Sequence, residues 1–210
     1  MAGDNDYIEN LHTYGIDPRS RRIYLPCAVY STGEAGPIGT DVVVRNLLLL
    51  DRSKGPIELW INTPGGYLHE MWSVIDVMHT MNNEVCTVAL GNVSSAGCLM
   101  LAAGTGTRYA LPHASFMWHA GTTDICGEHW PDARDRMKWE IREQERWIDM
   151  MGRKTTPRDD KGRAIKTLEG KKSFWEKPWC DGGGELWLDA KEMVQHGVVD
   201  EIWTKNEEGA

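Results

Sequence analysis

No apolar run in this sequence approaches the ~20 residues that a membrane-spanning helix requires. The opening residues, Met1-Ala-Gly-Asp-Asn-Asp, have neither a basic start nor an apolar signal core. A cytoplasmic protein is therefore expected, with no membrane partner. Cysteine is sparse and scattered. The five residues Cys27, Cys86, Cys98, Cys126 and Cys180 form no C-x-x-C pair and show no metal-ligand spacing with the seven histidines. That argues against a disulfide framework and against a metal site, and it suits free thiols in a reducing compartment. Clustered basic charge is missing as well. The formal net charge is −8, and the basic stretch Arg158 to Lys172 is broken by acids and glycine, so it reads as a solvated loop. Nucleic acid is not an expected partner. No internal repeat is visible. Tryptophan, in contrast, is abundant: several of the ten lie in the last third of the chain, as suits an interface or an unusual local core.

The 210 residues fit one domain with ordinary globular composition. Residues 1–21 are polar and read as a loosely ordered N-terminal segment, 22–204 as the main domain and 205–210 as a tail. Arg22-Ile23-Tyr24-Leu25 opens the first strand. Between Ile38 and Asp51 the apolar residues Val42, Val43, Leu47, Leu48 and Leu50 recur near helical spacing, and Gly55-Pro56 ends the pattern. Ile57 to Asn62 alternates as a strand. A helix follows from Tyr67, with Leu68, Met71, Trp72, Ile75 and Met78 on one face. Glu84 to Leu90 and Phe116 to Trp118 read as strands, and Ser94 to Ala103 as a small-residue helix between them. Strands alternating with helices imply an α/β fold with largely parallel pairing. Residues 131–152 form a long charged amphipathic helix, exposed enough to pack on another subunit. Residues 153–180 lack periodicity and read as a loop or insertion, a length that suggests a functional segment. Leu188 to His196 reads as a helix ended by Gly197, and Val198 to Trp203 as a closing strand.

Three segments carry chemistry. Ile61-Asn62-Thr63-Pro64-Gly65-Gly66 is a strand entering a turn with free backbone amides. Gly91-Asn92-Val93-Ser94-Ser95-Ala96-Gly97 places two serines at a strand–helix junction. Phe116-Met117-Trp118-His119 delivers a histidine from another strand. A serine hydroxyl becomes nucleophilic only when a base takes its proton, and attack on a carbonyl builds charge on oxygen. A carboxylate then steadies the imidazole. Gly66 supplies one candidate oxyanion amide, and Ala96, the residue after Ser95, supplies a second, reinforced by the helix it begins. His69, at a helix start beside the glycine turn, reads as a wall of a substrate groove.

These segments resemble the Clp protease proteolytic subunit family, of the ClpP/crotonase superfamily. Its I-N-[ST]-P-G-G segment matches Ile61 to Gly66, and its G-x-x-[AS]-S-x-G turn matches Gly91 to Gly97. Its G-x-R-x-x-x-P-x-[AS]-x-x-M-x-H run matches Gly106 to His119 position for position. The resemblance implies a repeated ββα superhelix from which a handle helix, 131–152, protrudes. It implies a serine endopeptidase with Ser95 as nucleophile, His119 as base, and Gly66 and Ala96 as the oxyanion hole. A substrate strand would run beside Gly66-Tyr67-Leu68 and Gly121-Thr122-Thr123. Leu68, Trp72 and Met100 would line an apolar pocket for the residue before the cut. No cofactor is implied. The assembly implied is of heptameric rings stacked as a tetradecamer, cleaving peptides or unfolded protein in a chamber.

The sequence also departs from that family. Where the family has an aspartate before F-L-[ST]-A, this chain has Glu185 before Leu186-Trp187-Leu188-Asp189-Ala190. The third catalytic member is accordingly Glu185, or Asp181, or no carboxylate. The chain between His119 and Glu185 is longer than usual for the family. No counterpart of its axial-loop segment, which engages a hexameric AAA+ unfoldase, stands in Met1 to Arg21, so partnership with an ATPase stays open. The alternatives are a specialised protease of this fold, of the viral capsid-maturation type, and a non-catalytic ring subunit. A remoter one is an acyl-CoA hydratase or isomerase, for which Ser95 would be dispensable.

Overall fold

The computed structural model describes residues 2–31, 38–123, 127, 129–180 and 184–204, and the surroundings of their side chains except at 2–6 and 180. Alternating burial builds its centre. In β3 (Ile57–Thr63) Ile57, Leu59, Ile61 and Thr63 are buried while Glu58, Trp60 and Asn62 are half-exposed. β3 pairs in parallel with β2 (Arg22–Leu25) on one side and with β4 (Val85–Ser94) on the other. The remaining strands are β1 (Ile16–Asp17), β5 (Arg108–Ala110), β6 (Ser115–Trp118), β7 (Leu186–Leu188) and β8 (Glu201–Ile202). The order is β1-β2-β3-β4-β5-β8, with β6 joined to β4 and β7. All pairs are parallel except β1–β2 and β6–β7.

β4 decides where chemistry can sit. Its residues 87–89 pair with β5 and its residues 92–94 with β6, so one strand serves two neighbours along its length. The β3–β4 register slips between Ile61 and Thr63, where Asn92 N–H turns to Asn62 Oδ1 at 3.1 Å. Helices α2 (Thr40–Leu50), α3 (Leu68–Thr80) and α4 (Ala96–Ala102) bury Val43, Leu47, Met71, Ile75, Leu99 and Leu101 against the sheet. All seven residues of α4 are buried, as its small-residue sequence permits. The fold is mixed α/β around one central sheet. Among the described residues, no helix is long and apolar enough to cross a membrane.

Several expectations change. The N-terminal segment is ordered as helix α1 (Ala2–Tyr14). Tyr7 Oη donates to Asp17 at 3.1 Å, the Arg19 guanidinium lies 4.7 Å from the Tyr7 ring centre, and Asn46 donates to the Tyr14 carbonyl at 2.7 Å. These contacts are too long-range for composition to show. The long helix is α5 (Trp130–Lys154), about 37 Å long at 1.5 Å per residue. Trp147, Ile148 and Met151 bury its C-terminal half, while Trp130, Met137, Trp139 and Ile141 remain exposed. Segment 153–180 is not an unstructured loop throughout, because residues Leu168–Cys180 form helix α6 against α5. Its periodicity is masked by Gly170, Pro178 and the polar run Glu169 to Ser173, and it is held by Trp175, fully buried with Nε1 donating to Thr155 Oγ1 at 2.8 Å. Leu188 belongs to β7, and helix α7 (Ala190–Gln195) starts only after an Asp189–Glu192 capping box. The 205–210 tail lies outside the described residues.

Candidate active site

The C-terminal end of β4 delivers Ser95 in a conformation that few side chains adopt, φ 55° and ψ −124°. Such a backbone costs on the order of 1–3 kcal/mol and persists only where its surroundings fix it. Here the Ser95 N–H donates to the Met117 carbonyl at 2.8 Å, and its own carbonyl accepts from Cys98 N–H at 2.9 Å. The hydroxyl stands over the glycine turn. A Cβ on Gly65 would lie 2.4 Å from Ser95 Cβ and 3.0 Å from Ser95 Oγ, so only glycine fits there, as its φ of 98° also requires. Ser94, by contrast, is buried and donates to Asn92 Oδ1 at 2.8 Å. Cys98 is a buried thiol, pushed well above its ordinary pKa by burial, and so is no rival nucleophile.

The turn leaves one amide unspent. Val29 bridges Gly66 in parallel through Val29 N–H to Gly65 carbonyl, 2.8 Å, and Tyr67 N–H to Val29 carbonyl, 3.0 Å. Those bonds flank Gly66, so its own N–H and carbonyl face the opposite edge. A Cβ on Gly66 would lie 2.4 Å from the Val29 carbonyl oxygen, which makes glycine necessary here too. Ala96 opens α4, where a first-turn N–H has no acceptor within its helix. Thr63, which sequence reasoning passed over, accepts Gly65 N–H on its hydroxyl at 3.1 Å and packs its methyl where a Gly97 side chain would stand. The Thr-Pro-Gly spacing was the available signal, since a threonine hydroxyl readily takes the N–H two residues on.

Strand register brings His119 near. Ser94 pairs with Met117 in the β4–β6 ladder, and His119 follows two residues later. In the β6–β7 ladder Trp118 faces Leu186, so the next residues outward are His119 and Glu185. Directly opposed residues share a face. The Glu185 carboxylate nevertheless accepts from Trp187 Nε1 at 2.9 Å, and His119 Nε2 is buried with no hydrogen-bond partner among the described residues. The Ser95–His119 and His119–Glu185 hydrogen bonds of a closed triad are therefore not both made. Asp181 lies outside the described residues. Tyr67 is exposed, Leu68 packs on the core, and Gly121 and Thr122 are exposed, with Gly121 against the Trp147 ring.

Beneath His119 lies a cluster of indoles that the sequence only hinted at. The Trp118 ring centre is 4.6 Å from Trp147, 5.6 Å from Trp175 and 5.5 Å from Trp179, and Trp118 Nε1 donates to the Trp175 carbonyl at 2.8 Å. The strand carrying His119 is thereby fastened to α5 and α6. Beside it, Glu143 of α5 is buried and accepts from Trp72 Nε1 at 2.8 Å and from Arg146 at 2.5 Å.

The Clp protease family model matches residues 22–206. The chain belongs to the Clp protease family. Among its curated relatives, the ATP-dependent Clp protease proteolytic subunit of Streptococcus thermophilus (strain ATCC BAA-491 / LMD-9) is 28% identical over 189 residues, covering 82% of this chain and 83% of the relative. Proteolytic subunit 2 of Thermobifida fusca (strain YX) is 31% identical over 166 residues, covering 77% and 73%. Proteolytic subunit 1 of Streptomyces coelicolor is 26% identical over 166 residues, covering 79% and 68%. The matched span begins at β2 and leaves out α1 and β1.

Proposed function

We propose that this Clp family member is a serine endopeptidase that cleaves peptides or unfolded protein. Ser95 Oγ attacks the scissile carbonyl carbon while His119 takes its proton. The oxyanion is received by the N–H groups of Gly66 and Ala96, and Glu185 orients and steadies the imidazolium. His119 then passes the proton to the leaving amine, and water resolves the acyl-enzyme by the reverse sequence. Substrate lies beside Gly66-Tyr67-Leu68 and Gly121-Thr122. The observation that carries this reading is the left-handed Ser95 backbone, held by Met117 with its hydroxyl over Gly65. The exposed apolar side chains of α5 support packing of one copy on another, as in two heptameric rings stacked face to face around a chamber, and an AAA+ unfoldase would be the partner that feeds it. Fluorophosphonate labelling read by peptide mass spectrometry tests the chemistry. An adduct on Ser95 that vanishes in Ser95→Ala supports it, and no adduct on the folded, assembled protein removes it.

A second reading has its own observation. Glu185 is held by Trp187, and among the described residues His119 Nε2 has no hydrogen-bond partner, as suits a ring subunit that does not cut. Peptide hydrolysis that needs an added second type of subunit, with Ser95 dispensable, would favour it.

A further inference from the structure

Next to the glycine turn stands a partly exposed stack of rings whose side chains take no part in the bond-breaking steps above. Tyr30 and Tyr67 lie with ring centres 4.7 Å apart at 36°, and Tyr67 and His69 at 5.2 Å and 15°, nearly parallel. Tyr67, the middle ring, is 47% exposed and the His69 side chain at one end of the stack is 76% exposed, while Tyr30 at the other end is half-buried. The stack is braced from behind. Thr40 N–H donates to the Tyr30 carbonyl at 2.9 Å, while the single Thr40 hydroxyl proton goes to the Glu70 carboxylate, the shorter of its two contacts. Exposed aromatic rings ordered in this way bind planar apolar groups at low entropic cost, because little freedom remains to be lost.

Position links the stack to a substrate. The edge of Gly66 that Val29 does not use offers an N–H and a carbonyl to an extended chain, as in strand addition. A residue opposite Gly66 on such a chain directs its side chain to the same face as the one Gly66 lacks. That face is covered by Tyr30, whose Cε1 is 2.8 Å from where a Gly66 Cβ would be. Every second side chain of an extended peptide keeps to that face, at steps of about 6.6 Å. The ring-to-ring distances of 4.7 and 5.2 Å within the stack are shorter than that step, so the stack offers a seat to one such side chain and not to two in succession.

We propose that Tyr30, Tyr67 and His69 form a subsite for an aromatic side chain of the substrate, two or more residues from the bond that is cut. The inference rests on the serine-peptidase reading for its substrate. An aromatic group is favoured over a cationic one on two grounds. The nearest carboxylate, Glu70, is already engaged by Thr40. His69 Nε2, 3.9 Å from Glu70 Oε1, competes with an incoming cation for that carboxylate.

The test separates this subsite from the catalytic reading. Fluorescein-labelled octapeptides carrying Phe, Ala or Arg at successive positions are titrated onto the full-length, assembled Ser95→Ala protein by fluorescence polarisation. The titrations are repeated with Tyr67→Phe and Tyr67→Val added to Ser95→Ala. At one position Phe should bind about tenfold tighter than Ala. Tyr67→Phe should keep that ratio and Tyr67→Val should reduce it to within about twofold. An unchanged ratio in Tyr67→Val, or tighter binding of Arg than of Phe at that position, overturns the proposal. The same peptides digested by the Ser95-intact protein report on catalysis alone: absent cleavage sinks the peptidase reading, while the binding ratios still decide the subsite.

Discussion

Gly65→Ala is the sharpest perturbation of the site, because its two costs can be separated. The first is backbone. At φ 98° an L side chain is strained by about 1–2 kcal/mol. The second is contact: the new methyl would lie 2.4 Å from Ser95 Cβ and 2.9 Å from the Ser94 carbonyl oxygen, against an ordinary contact of 3.4 Å or more. Overpacking of this kind costs about 1–3 kcal/mol. Together they give about 3 kcal/mol, or about 6–12 °C in Tm for a chain of this size. Relief requires Ser95 and the turn to part by about 1 Å, and a misplacement of that order costs ~100-fold in rate. Gly162→Ala is the control, since Gly162 has φ +73° and no atom within 4 Å of a Cβ. It should show the backbone cost alone, about 1 kcal/mol, with unaltered labelling. Thermal melts and the rate of fluorophosphonate adduct formation on Ser95 are compared for both. If Gly65→Ala labels within threefold of the parent while folded, the hydroxyl does not stand over this turn and the site geometry is refuted.

Other predictions follow from particular contacts. Asp17 is buried, which raises its pKa, but the Ser20 hydroxyl and N–H, Arg19 N–H and Tyr7 Oη outweigh that and hold it below the usual carboxylate range. Its stabilising effect is therefore complete above the unfolded-state value near 4 and lost as pH falls through the lower folded value; Asp17→Asn should lower Tm at pH 6 and narrow the gap to the parent below pH 4. Trp175→Phe removes the bond to Thr155 and part of a fully buried ring, and should cost about 2 kcal/mol, read as about 4–8 °C in Tm. Trp187→Phe frees the Glu185 carboxylate while keeping a ring, and should speed labelling of Ser95 severalfold. The same change in a Glu185→Gln background should have no effect, and equal acceleration in both backgrounds would show that Glu185 is not the carboxylate concerned.

Much of this architecture is local enough to read from sequence. The alternation in Ile57 to Asn62 and the helical spacing from Leu68 to Met78 concern neighbours along the chain, and β3 and α3 stand where those patterns lie. The glycine turn is legible for the same reason, since Pro64-Gly65-Gly66 favours a turn by its own sterics, whereas the Ser95 backbone is held by a distant partner, the Met117 carbonyl. What stayed hidden depends on distant partners. α1 is fixed by Asp17, Arg19 and Asn46; α6 is fixed by one buried indole in a segment that otherwise looks like a polar linker. β5 and β8, three and two residues long, exist because β4 and then β5 offer them an edge, not because their own sequences demand extension.

The unclosed triad has a physical logic in the same register. His119 and Glu185 occupy the rung just beyond Trp118 and Leu186, while Trp187, two rungs inward and so on the same face as Glu185, has its N–H within reach of that carboxylate. A buried imidazole nitrogen without a partner costs on the order of 1–3 kcal/mol. The Glu185–Trp187 bond, on exposed residues, is weak in comparison because water competes for both groups. Any event that excludes water from this rung, such as a substrate strand laid along Gly121 or a second copy packed on α5, strengthens the interaction of the carboxylate with His119 more than its interaction with the indole. The Trp118–Trp147–Trp175 cluster is the route by which such packing would be felt, since it joins the His119 strand to both helices. On the peptidase reading, closure requires the Glu185 carboxylate to exchange the Trp187 indole for His119.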